Sequence, residues 1–149
     1  MNLRKLEAMA VGLALLLPAS AAISRDTQLF LPIEAAMATP AAQEKLDSSI
    51  KFYFGDQPHP ATGNRTVELI THKKTNASNK SDEKACQLAF VSALIALQEH
   101  ARSEGADAVV GITSYYKRKK EYSSRENFEC HAGALMAGVE LKGKIVKLK

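Results

Sequence analysis

Residues 81–104 carry the one long helical pattern of this chain and restrict its fold more than any other stretch. Ser81 stands where a helix cap accepts a backbone N–H, Asp82 and Glu83 put acidic charge in the first turn, and Gly105 supplies the stop. Plotted at about 100° per residue, Cys86, Ala89, Phe90, Ala93, Leu94, Leu97 and Ala101 fall within one broad arc. An arc that wide belongs on a sheet, with Cys86 pointing inward. Leu88, Val91 and Ile95 form a second, narrower apolar stripe on the far side, which water does not tolerate uncovered. Residues 33–46 are the cover available within the chain. A second subunit is the alternative, which makes Leu88, Val91 and Ile95 a candidate interaction stripe.

The flanking residues supply the sheet. Residues 32–38 and 40–46 read as two short helical pieces, the second capped by Thr39 with Pro40 at its first position. Ile50, Phe52 and Phe54 alternate with Lys51 and Tyr53, the period of a strand with one buried face, and Gly55 ends it. Residues 55–64 are loop chemistry. A second strand over residues 65–75 sets Val67 and Leu69 on one face and Glu68 and Ile70 on the other. Val109, Val110 and Ile112 make residues 106–116 a central strand. After a polar connection at residues 117–127, residues 128–146 read as one long strand with bends at Gly133, Gly138 and Gly143. The expected class is α+β: a sheet of about four strands, antiparallel or mixed, with the long helix on one face.

The first residues read as an export signal. Arg4 and Lys5 precede an apolar run at residues 8–17, and Pro18-Ala19-Ser20-Ala21-Ala22 follows. The run of 10 residues is half the length of about 20 that spans a bilayer. Cleavage after Ala22 is therefore expected, giving a signal peptide at residues 1–22 and a single periplasmic or secreted domain at residues 23–149, with no stable membrane anchor. No cysteine lies at that junction to be acylated. Cleavage removes Arg4, Lys5 and Glu7 from 20 basic and 16 acidic residues and leaves a net charge of +3. That is too small to argue for nucleic acid. Basic residues do cluster at Lys117, Arg118, Lys119 and Lys120 with Arg125, either a solvated loop or a surface for weak contact with acidic lipid.

The chemistry-bearing residues are few. Cys86 and Cys130 are the two cysteines, and an even count in an exported chain argues for a disulfide with one connectivity. Closing a loop of 44 residues stabilises by about 4 kcal/mol on loop-closure entropy. Gly138-Val139-Glu140-Leu141-Lys142-Gly143-Lys144-Ile145 fits a phosphate-cradling loop until Ile145 replaces the required hydroxyl, so a strand with a glycine bend is expected there. His59, His72, His100 and His131 are scattered over a loop, a strand, a helix and another strand. Adjacent strand residues face opposite ways, so Cys130 and His131 do not share an ion. No catalytic centre, metal set or cofactor is expected.

Gly105-Ala106-Asp107-Ala108-Val109-Val110-Gly111-Ile112, after an alanine-rich helix and before a last strand ending Gly143-Lys144-Ile145-Val146-Lys147, resembles the YbjQ family of small bacterial proteins. That family is described as heavy-metal-binding. In this motif Gly111 is expected to permit close packing. The same half of the chain is similar to the RcsF-like signalling domain of envelope-stress sensors, in which a bridged cysteine pair matches Cys86 and Cys130. The resemblance implies an exported, non-enzymatic protein-interaction module whose partner is an unknown protein or itself, homo-oligomeric or related to envelope stress. A periplasmic metal- or small-ligand-binding protein is the alternative.

Overall fold

The structure, a computed structural model, describes residues 24–149, and the signal segment expected at residues 1–22 lies outside the described residues. The elements run β1 (Thr27–Pro32), α1 (Ile33–Met37), α2 (Pro40–Lys45), β2 (Lys51–Phe54), β3 (Thr62–Asn76), α3 (Asp82–Ser103), β4 (Ala108–Ser114), a 3-10 turn (Tyr116–Arg118), β5 (Asn127–Ala132) and β6 (Met136–Leu148). The class is α+β. The sheet is mixed and has six strands rather than four. Two short segments account for the difference. The residues before Pro32 form β1 because they pair antiparallel with β5, and the stretch read as one strand folds back at Gly133 into β5 and β6.

The thirteen residues of β6 form the trunk of the sheet. β3 runs antiparallel along one side of it, while β4 and β5 share the other. β2 adds in parallel to β4, and β1 antiparallel to β5. Strand alternation gives the sheet two faces. One carries Val67, Leu69, Val109, Ile112, Phe128, Val139, Leu141 and Ile145 and receives α3 through Phe90, Leu94 and Leu97. Phe90 stacks on Phe128 at 4.1 Å between ring centroids. Burying each such side chain stabilises by about 1.5–3 kcal/mol. Thr75 ties strand to helix by donating its hydroxyl to the Ala85 carbonyl at 2.8 Å.

Local chemistry sets the bounds of α3: the Ser81 hydroxyl accepts the Lys84 N–H, and Gly105 turns the chain out at φ +65°. Gly143 is where α3-face side chains come closest, since a Cβ there would meet Val109 Cγ1 at 2.7 Å. Gly111 corrects the expectation of close packing. It takes φ +60° in a bulge between Val110 and Thr113, with nothing within 4 Å of where its Cβ would be. Its role is conformational.

Both α1 and α2 pack on α3. Val91 is 2 % exposed, and Leu88 and Ile95 are half-buried. Gln98 is buried with them, accepting the Asp47 N–H at 2.6 Å and donating to the Lys45 carbonyl at 3.1 Å. Leu88 lines a cleft with Thr39, Pro40 and Ala41 at the start of α2.

Candidate functional site

Cys86 near the start of α3 and Cys130 in β5 are bonded, with Cα atoms 5.8 Å apart and both residues fully buried. Cys130 shares its face with Phe128 and Ala132 beneath α3, so the link pins helix to sheet rather than exposing a reactive thiol. A bonded pair is compatible with an oxidising, exported compartment.

The face turned away from α3 carries a small apolar cluster of Ala108, Val110 and Val146 and, around β5, a set of polar residues. Glu129 and His131 of β5 project there, on the opposite side from Cys130. His131 lies with Nε2 2.7 Å from Glu129 Oε1 and Nδ1 3.0 Å from Asp26 Oδ1, and its ring stacks on Tyr116 at 3.6 Å between centroids. Gln28 of β1 donates to the same Glu129 oxygen at 2.9 Å. Burial, together with Asp26, Glu140 and Glu129 nearby, pushes the Tyr116 phenol above its ordinary pKa.

Glu140 of β6 completes this layer. Its side chain is 5 % exposed, accepts the Lys117 N–H at 2.9 Å and lies 3.5 Å from Arg118 Nε. Both basic residues take left-handed backbone, each at φ 53°, which is uncommon outside glycine and asparagine. The connection from Tyr115 to Glu126 is held along its length as well. Tyr122 bridges back to Ser114 and packs on Phe30 at 4.6 Å between centroids. Glu121 accepts from Thr113 at 2.7 Å and from Lys142 at 3.1 Å, contacts that hold its carboxyl below the usual range.

The five basic residues singled out from the sequence are thus not equivalent. Arg118 reaches Glu140 and Arg125 reaches Asp56 at 2.6 Å, whereas Lys117, Lys119 and Lys120 make no ion pair among the described residues. All five are exposed. Next to this connection, Asp56, His59, Glu68, Glu121, Lys142 and Lys144 line a cleft of about 380 Å³. The residues that resemble a phosphate loop lie within β6 and form strand. Among the described residues, no three His, Cys, Asp or Glu side chains are grouped to hold a metal, and no helix is long and apolar enough to cross a membrane.

Sequence reasoning missed Glu129, Glu140, Tyr116 and Asp26. The available signal was one acidic residue inside each of β5 and β6, flanked on both sides by apolar residues. No protein-family model, curated protein or solved structure matches this chain.

Proposed function

We propose that this chain is an exported, non-enzymatic protein-interaction module that presents the connection from Tyr115 to Glu126 on a disulfide-pinned sheet. One observation carries the reading: Lys117 and Arg118 occupy consecutive left-handed conformations with the buried Glu140 carboxylate beneath them. Such backbone costs free energy and is kept where the surroundings over-determine it, a pattern that clusters at functional sites such as ligand clamps and switch regions. The result is a held backbone that presents four consecutive basic side chains, suited to an acidic protein surface. The resemblance to the YbjQ family and to envelope-stress signalling domains supports the same class of function.

The test is affinity purification of the tagged chain from its own periplasm, beside a variant carrying Lys117→Glu, Arg118→Glu, Lys119→Glu and Lys120→Glu. A discrete partner retained by the native chain and lost by the variant supports the reading. Identical capture by both, or capture by neither, contradicts it.

The cleft lined by Asp56, His59 and Lys142 favours a second reading, capture of a small zwitterionic ligand. Its metal version fails if calorimetry with zinc, copper and nickel at micromolar protein gives no heat.

A further inference from the structure

Three strands of the sheet have a single neighbour among the described residues: β1, β2 and β3. β1 is 6 residues long and ends in Pro32, and β2 is 4 residues long, whereas β3 runs for 15. Short or proline-terminated edges limit further pairing, but a long regular edge is a template for another strand.

The register fixes which groups that edge offers. Val146 and Glu140 of β6 accept backbone N–H groups from Asp107 and Tyr115, on the β4 side, while the Leu135 carbonyl accepts from Ala77 on the β3 side. Even-numbered residues of β6 thus turn their backbone toward β4, and odd-numbered ones toward β3. Val67 pairs with Ile145, Leu69 with Gly143, Thr71 with Leu141 and Lys73 with Val139. The odd positions of β3 are consumed by β6. The N–H and C=O groups of Thr66, Glu68, Ile70, His72, Lys74 and Asn76 point outward, and none has a backbone partner among the described residues.

The geometry points to a second copy of this chain as the occupant, added antiparallel along β3 about a two-fold axis through Thr71. In that register Glu68 stands opposite Lys74 of the second copy, Lys74 opposite its Glu68, and Ile70 opposite its His72. An axis through Ile70 sets Lys74 against Thr66, and an axis through His72 sets it against Ile70. The Thr71 axis alone of the three sets Glu68 directly against Lys74, in two symmetric pairs. Both side chains are exposed, and neither makes an ion pair among the described residues. The axis stands perpendicular to the sheet, so both α3 helices stay on one face and the interface is isologous.

This inference goes beyond the protein-contact reading, since it concerns the β3 edge and not the basic connection. The two fail separately, because capture from the periplasm reads the basic connection and molecular mass reads the β3 edge. Sedimentation equilibrium of the protein recovered from its own periplasm is expected to show mass rising with concentration from one copy to two. Glu68→Lys opposes lysines at both pairs and raises the dimer dissociation constant by about tenfold or more, while Glu68→Lys with Lys74→Glu restores it. Ile70→Pro removes an N–H that β6 does not use, a substitution that edge strands tolerate, and leaves one copy throughout. A mass of one copy at every concentration overturns the inference. A dimer indifferent to both Glu68→Lys and Ile70→Pro overturns it as well.

Discussion

Glu140, in the middle of β6 and almost wholly buried, accepts the backbone N–H of Lys117 at 2.9 Å, tying the basic connection to the trunk of the sheet. A charged acceptor on a backbone N–H contributes about 1.5–3 kcal/mol. Glu140→Ala is therefore expected to lower stability by about 2 kcal/mol in urea denaturation. It should also raise amide exchange at residues 116–120 ahead of the rest of the chain. Unchanged exchange there means that Glu140 does not hold the connection.

The link between Cys86 and Cys130 closes 44 residues of chain. Cys86→Ser is expected to cost about 2–5 kcal/mol, and Cys130→Ser the same. The double variant should lose no more than either single one, because one bond disappears in all three. Additive losses measured by denaturation mean that the sulfurs act separately.

Two glycines separate packing from backbone strain. Gly143→Ala drives a methyl to 2.7 Å from Val109 Cγ1 under α3, an overpacking that costs about 1–3 kcal/mol. Gly105→Ala meets no atom within 4 Å but keeps φ +65°, so it should cost about 1 kcal/mol through conformation alone. Thermal unfolding of the two variants ranks them, with Gly143→Ala the lower. The reverse order contradicts the packing described.

Asp47 links the end of α2 to the end of α3. The Ser49 backbone N–H, at 2.7 Å, and the Arg102 guanidinium hold its carboxyl at about 2, below the ordinary 3.8. A carboxyl lowered on folding adds stability that is complete above its unfolded pKa and is lost as pH falls through the folded one. That contribution should fade between about pH 4 and pH 2. The melting temperature of Asp47→Asn is expected to fall less than the native one across that interval, and parallel curves exclude Asp47 as a contributor.

What the sequence made legible was whatever its local chemistry decides. Ser81 and Gly105 bound α3, Thr39 and Pro40 start α2, and Gly55 at φ +58° ends β2. What stayed hidden depends on partners distant in the chain. Leu29 and Leu31 give β1 too short an alternation to be read alone, and its strand comes from pairing with Cys130 and Phe128. The fold-back at Gly133 was masked by Leu135 and Met136, apolar residues that remain exposed and continue the strand-like run. Glu129 and Glu140 escaped notice because alternation says which side a residue takes, and not whether a loop later covers it.

One sulfur link pins the helix to the sheet, and the proposed function requires that the domain be exported to keep it. Mass spectrometry of the protein recovered from its own cell envelope, alkylated without prior reduction, tests it most directly. The expected mass begins at residue 23, carries no alkyl group and gains two only after reduction. A chain that takes up two alkyl groups before reduction, or one that still carries residues 1–22, contradicts the account.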